Sequence, residues 1–322
     1  MAESVYNRRE LLRTVGSGLA VGSLTTLGTG TAAATPAEGV VTVNVGYASA
    51  NGRTAAVDHA STVAHEFGFD ALTIQMPASA TDDLAARRDI RYVEQNRNIG
   101  GIFEPQLQPR RRVEDQRVPY GIELTGADVA ADAGYTGRDA TVAVLDTGID
   151  STHPDLAASL GTGAAFVPGV GDVEKLDFPA GQDDDVLVSH GTHVAGVIGG
   201  IDNDTGVVGV SPDATLHAVK VLLGVLGRGS TAAVAAGVEF VADQGWDVAN
   251  LSLGGTEPVE VLADAVADAY ERGVLVVAAA GNDGALESDP PGSDTESTVS
   301  YPGAFEEVLA VVMQAVERPQ LH

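Results

Sequence analysis

The chain has 322 residues, 44% of them apolar, and no cysteine, which allows a sizeable core and excludes disulfides, thiolate zinc sites and a cysteine nucleophile. Its formal charge of −27 is uneven: residues 1–120 carry 12 Lys and Arg against 13 Asp and Glu, whereas residues 121–322 carry 6 against 32. A nucleic-acid-binding face is thereby excluded. The acidic excess, with Lys175 and Lys220 as the only lysines, favours a salt-loving source over a merely soluble surface.

In chain order, residues 1–34 read as an export signal. Asn7-Arg8-Arg9-Glu10-Leu11-Leu12 is a twin-arginine motif, a weakly apolar run follows to about Gly30, and Ala32-Ala33-Ala34 offers a small-residue cleavage site. The run is too short and too mild to span a membrane, so no stable membrane insertion is expected. Residues 35–100 predict a small α+β domain: a strand over Val40–Val45, a helix over Ala55–Phe67, a strand over Ala71–Met76, a short helix over Thr81–Arg88 and a strand over Ile90–Glu94. Pro105, Pro109 and Arg110-Arg111-Arg112 mark an exposed linker and processing region over 101–115.

From 116 to 322 strands alternate with helices. Ala140–Leu145 is apolar throughout, as a strand buried on both faces requires. A helix over Thr192–Gly199 follows, then a strand over Leu216–Leu222 and a helix over Thr231–Gln244. A strand over Val248–Leu253, a helix over Val259–Arg272 and strands over Val274–Ala279 and Val308–Met313 complete the pattern. This predicts an α/β fold with a doubly wound, mostly parallel sheet.

Asp146 ends the first of these apolar strands, where open parallel sheets place ligands. His190 opens a helix of small residues and can serve as a general base near neutral pH, with a buried carboxylate fixing its tautomer. These segments carry a resemblance: Val-Leu-Asp-Thr-Gly-Ile-Asp at 144–150, His-Gly-Thr-His-Val-Ala-Gly at 190–196, Asn-Leu-Ser-Leu-Gly-Gly at 250–255 and Ala-Ala-Ala-Gly-Asn at 278–282. Together they resemble the subtilisin-like serine proteases over about Gln116–Val312. The acidic composition and the export motif resemble the halolysin branch.

The resemblance implies a secreted serine endopeptidase precursor acting on polypeptides. Asp146 and His190 would be triad members, and Asn282 the oxyanion-hole donor. His193 has no catalytic role in the family. Ser252, Leu253, Gly254 and Gly255 would pair with an extended substrate, and Ala279, Ala280 and Gly281 would wall the primary specificity pocket. Structural calcium is implied, held by Gln116, Asp155 and Asn203 side chains and by carbonyls of Ile201, Thr205 and Val207; such hard oxygen ligands suit that ion. Residues 38–100 resemble the family's pro-domain, which would act as an intramolecular inhibitor and be cleaved near Glu114. A monomer is expected.

The sequence also departs from the family. The nucleophile belongs to a Gly-Thr-Ser-x-Ala motif, expected from family spacing at about 345–355. No Gly-Thr-Ser occurs in the 322 residues, and Ser288, Ser293, Ser297 and Ser300 lie in a polar loop. Residues 312–322 follow the family poorly. The expectation is a chain interrupted before its nucleophilic serine, prone to aggregation and inactive as written. The alternative is a pseudoprotease or pro-domain-bearing remnant that binds peptides or inhibits a related protease. A nucleotide-binding protein is disfavoured, because no Gly-rich phosphate loop follows the first strand.

Overall fold

A computed structural model describes residues 39–101, 115–168, 173–178, 185, 189–223, 227–282 and 299–312. The export signal, the arginine-rich part of the linker, Glu114, Ser288, Ser293, Ser297 and most of the family-divergent tail lie outside the described residues. The chain divides into two compact units, one centred on residues 39–96, with which 167–168 and 173–174 are also grouped, and the other made of the remaining described residues from Arg97 onward.

The first unit has strands β1 (Val40–Tyr47), β2 (Thr62–Phe67), β3 (Ala71–Pro77) and β4 (Ile90–Gln95), with helices α1 (Ala50–His59) and α2 (Thr81–Ala85). The strands form one sheet in the order β2-β3-β1-β4, antiparallel throughout. Val43, Val45, Leu72, Ile74, Met76, Leu84 and Ile90 are buried with Ala55 and Ala56 in its core. The helix expected over Ala55–Phe67 stops at His59. Ala60 turns extended, and Thr62–Phe67 pairs with β3 as a fourth strand. The β-branched pair Thr62-Val63 favours that outcome once a neighbouring edge is on offer.

In the second unit, strands β6 (Thr141–Asp146), β7 (Gly163–Pro168), β8 (Val173–Phe178), β9 (Thr215–Lys220), β11 (Val248–Leu251), β13 (Leu275–Ala279) and β14 (Val308–Val311) form one sheet. Its order is β14-β13-β11-β6-β9-β7-β8, and each pair from β14 across to β7 is parallel. The mostly parallel α/β sheet expected from the alternation is present. Short helices α3 (Tyr120–Thr125) and α4 (Ala127–Asp132) precede it, and α5 (His190–Gly199), α6 (Thr231–Gln244) and α7 (Glu260–Glu271) connect its strands. α6 is buried along nearly its whole length, as its Ala- and Val-rich sequence demands. α7 buries Val261, Leu262, Ala265, Val266 and Ala269, one stripe at helical spacing.

Strand β6 is where the topology switches. Its neighbours are β9 on one side and β11 on the other: the chain runs from β6 outward to β7 and β8, returns to β9, and then crosses to β11 on the far side. A crevice opens at the carboxyl ends of the strands at such a point, and Asp146 is the last residue of β6.

The strand expected over Val248–Leu253 is two. Val248–Leu251 belongs to the large sheet, and β12 (Leu253–Gly254) belongs to a separate three-stranded sheet. That sheet has the order β10-β5-β12, with β5 (Asn98–Gly101) in the middle and β10 (Arg228–Ser230) on its far side.

Candidate active site

Asp146 is 0% exposed, and His190 stands at the first position of α5. The imidazole Nδ1 lies 2.8 Å from Asp146 Oδ1 and 2.9 Å from Oδ2. One carboxylate with both oxygens within reach of Nδ1 keeps the proton on that nitrogen and leaves Nε2 as the basic one. The His190 side chain is 13% exposed, so the pair is shielded but open at one edge.

Glycine makes the approach possible. A Cβ on Gly191 would sit 2.1 Å from the Gly148 carbonyl and 3.1 Å from Asp146 Cβ. Any side chain there would push α5 off the end of β6. The helix begins without a cap of its own. Ser189 adopts a left-handed conformation (φ 62°), and its side chain makes no capping bond. Thr147 and Asp185 cap the first turn instead. Gly191 N–H donates to Thr147 Oγ1 (3.0 Å), and Thr192 N–H donates to Asp185 Oδ2 (3.1 Å).

Asp185 is 2% exposed, and burial pushes its carboxyl up to about 6, against opposing pulls from Thr192, Lys220 and Thr147. Sequence reasoning missed it. It stands last in Asp183-Asp184-Asp185, a run that reads as surface acid like much of this half.

The other expected site residues fall on the same edge of the sheet. Ser252–Gly255 follow the carboxyl end of β11, and Ala280, Gly281 and Asn282 follow that of β13, the next strand over. Gly281 has φ +103°, and a Cβ there would meet Ser300 Oγ at 2.4 Å. Asn282 is exposed. Gly255 exchanges two 2.9 Å main-chain bonds with Tyr301. Ser300, one of the serines weighed from the sequence, is buried against Gly281.

The edge expected to pair with substrate already pairs with this chain. Leu253 and Gly254 lie opposite Gly101 and Gly100, antiparallel, and Arg228, Gly229 and Ser230 flank the other side of the same strand. Gly101 N–H donates to the Gly227 carbonyl and Thr231 N–H to the Arg97 carbonyl, both at 2.9 Å. Ile99, the only large side chain of β5, is 6% exposed. Residues 98–101 straddle the expected pro-domain and linker, and nothing local in Asn-Ile-Gly-Gly marks a strand.

The residues of the expected cation site converge on one loop. Gln116 Nε2 donates to the Ile201 carbonyl (2.9 Å), and its Oε1 accepts from Asp204 N–H (3.3 Å). Asn203 Oδ1 accepts from Thr205 N–H and Oγ1–H, and Asp155 Oδ2 accepts from Val207 N–H (2.9 Å). Asp155 Oδ1 is buried without a hydrogen-bond partner. An orphaned carboxylate oxygen among amide and carbonyl oxygens is a donor set that calcium fits. Among the described residues no cluster of three or more His, Cys, Asp or Glu side chains could hold a metal.

The Subtilase family profile matches residues 137–317. The chain belongs to the subtilase family. Subtilisin BL of Lederbergia lenta is 47% identical to it over 196 residues, covering 61% of this chain and 63% of that protein. An alkaline protease of Alkalihalobacillus alcalophilus is 40% identical over 248 residues, covering 77% and 55%. The chain therefore spans little more than half the length of these subtilase relatives. Fervidolysin from Fervidobacterium pennivorans, a keratinolytic enzyme related to subtilisin, shares the fold with a TM-score of 0.64 and 26% identity, over 84% of this chain and 42% of that one.

Proposed function

We propose that this subtilase carries the base, orienting carboxylate and oxyanion donor of a secreted serine endopeptidase that cleaves polypeptides by acyl transfer. The observation that carries the reading is the 0%-exposed Asp146 carboxylate on His190 Nδ1 at the switch point of the sheet. In the complete centre a serine Oγ attacks the scissile carbonyl while His190 Nε2 takes its proton. Asp146 stabilises the imidazolium, and the Asn282 amide donates to the oxyanion. His190 then returns the proton to the leaving amine, and water repeats the cycle on the acyl-enzyme. The serine belongs to a Gly-Thr-Ser-x-Ala motif that these 322 residues do not contain. By themselves they are expected to leave hydrolysis near background, within roughly 10³–10⁴-fold of water.

Around this centre Ser252–Gly255 bind substrate main chain, and Ala279–Gly281 leave room for a large apolar side chain. Calcium, bound by Gln116, Asp155, Ile201, Asn203, Thr205 and Val207, would tie the start of this unit to the loop after α5. Residues 35–100 serve as pro-domain and intramolecular inhibitor, and β5 on the substrate edge supports that role. Export by the twin-arginine route and a halolysin-like, salt-adapted monomer complete the proposal.

The occupied edge also favours a second reading, a non-catalytic member that binds peptides or inhibits a relative. Casein hydrolysis in concentrated salt separates the two. The 322-residue polypeptide should show no turnover, and joining it to a subtilase segment with Gly-Thr-Ser-x-Ala should restore turnover dependent on His190. Turnover by the 322 residues alone would sink the missing-nucleophile argument. A completed, folded form that stays inert but inhibits an active subtilase would favour the second reading.

A further inference from the structure

We propose that Asp185 is a positioning residue of the Asp146–His190 pair, a buried strap that holds the end of β6 and the start of α5 in one register. It rests on the reading of His190 as general base. Thr192 bonds its carboxylate and Thr147 acts on it electrostatically, and each adjoins a member of the pair. Thr147 follows Asp146, and its hydroxyl pulls the Asp185 carboxyl down against the push of burial. Thr192 stands two residues after His190 and gives Asp185 Oδ2 both its N–H (3.1 Å) and its hydroxyl (3.0 Å).

The same threonines hold the backbone across the gap. Thr147 Oγ1 accepts from Gly191 N–H (3.0 Å), and Thr192 Oγ1 accepts from Asp150 N–H (2.9 Å). The Thr192 hydroxyl has one proton, so donating it to Asp185 leaves its lone pairs for the Asp150 amide. The carboxylate thus sets the direction of the Thr192 hydroxyl. Thr147 N–H in turn donates to Asp146 Oδ1 (2.7 Å), the oxygen that also faces His190 Nδ1. The path from Asp185 to the imidazole is therefore unbroken: carboxylate, threonine hydroxyl, first turn of α5, ring.

Burial gives the arrangement its stake. A 2%-exposed carboxylate is costly unless its acceptor sites are filled, and the left-handed serine that begins the helix makes no capping bond of its own, so Asp185 caps the Thr192 N–H. A cap serving stability alone would need only the Thr192 N–H. The additional bond to the Thr192 hydroxyl, which accepts from Asp150 N–H, joins the helix to the segment that follows Asp146.

The test reads the imidazole, so it stays separate from whether the chain is a working peptidase. In the full chain with ¹⁵N-labelled histidine, NMR follows exchange of the His190 Nδ1 proton with water, and in the same sample exchange of the β6 amides Val142–Leu145. Asp185→Ala should speed the ring proton by about tenfold or more, the usual effect of orphaning one buried donor, with the β6 amides at the parental rate. Asp185→Asn, which keeps an oxygen acceptor, should return the ring proton to slow exchange. An unchanged ring proton in Asp185→Ala, an equal acceleration of the β6 amides, or Asp185→Asn as fast as the alanine variant would each overturn the proposal. Should the alanine variant not fold, Thr192→Val replaces it: a several-fold acceleration is expected, and none would overturn the strap. A parent chain lacking a slowly exchanging Nδ1 proton would overturn the Asp146–His190 pairing itself.

Discussion

Replacing Ile99 with alanine should open the edge proposed to bind peptide. Ile99 is 6% exposed and is the one large side chain that anchors β5 between Gly229 and Gly254. Burying such a side chain is worth about 1.5–3 kcal/mol. The main-chain bonds at Gly101 and Arg97 survive the change, at about 1 kcal/mol each. A loss near 2 kcal/mol shifts the closed-to-open ratio of this strand by about 30-fold. A competing peptide binds only the open edge, so its apparent affinity scales with the open fraction and Ile99→Ala should raise it by up to about 30-fold. The assay is fluorescence anisotropy with a labelled Asn-Arg-Asn-Ile-Gly-Gly-Ile peptide, the sequence of residues 96–102, added to parent and variant in concentrated salt. Hydrogen exchange at the Gly101 amide should accelerate by the same factor. Unchanged peptide affinity with unchanged Gly101 exchange would refute the idea that β5 competes for the substrate edge.

The Asp185 carboxyl sits at about 6 in the fold against an ordinary 3.8. Its contribution is therefore fully present below pH 3.8 and lost as pH rises through 6, by about 3 kcal/mol at most. Asp185→Asn should thus gain stability over the parent above pH 6 and none near pH 3.8, read from urea midpoints; a pH-independent difference would contradict the burial argument. His217, stacked on Trp246 at 3.8 Å, has its imidazole pushed down by burial and works in the opposite sense. Its stabilising effect is present above pH 6.5 and lost as pH falls below it, so His217→Phe should narrow the parent's acid-side loss. Chelating calcium should lower the parent's Tm and leave that of Asp155→Ala unchanged, since binding at a hundredfold excess over Kd adds about 2.7 kcal/mol; an equal drop in both would place the ion elsewhere. In a form completed with the nucleophile segment, Asn282→Ala should lower kcat by about 10²–10³-fold with KM little changed, and an unchanged kcat would remove Asn282 from the oxyanion site.

What could be read from the sequence divides by where each residue finds its partners. Asp146 and His190 were legible because their surroundings are local: an apolar strand ending on a carboxylate, and a histidine heading a helix of small residues. The large sheet was legible for the same reason, strand by strand. The helix projected through Phe67 failed because Thr62–Phe67 takes its conformation from β3, an edge outside its own window. Val248–Leu253 could not be divided in advance, because Leu251 and Leu253 are both buried yet serve different sheets. Asp185 is the harder case. Three consecutive aspartates are indistinguishable by type, and only the N–H and hydroxyl that Thr192 gives the last of them set it apart. Strand β5 shows why low sequence signal and strong structural placement go together. Gly100, Gly101, Gly229 and Gly254 leave three strands to meet almost entirely through main chain, and a Cβ on Gly229 would lie 2.1 Å from the Val221 carbonyl. An edge built to read main chain accepts many sequences. The segment that fills it needs little pattern of its own beyond one apolar anchor, and Ile99 is that anchor.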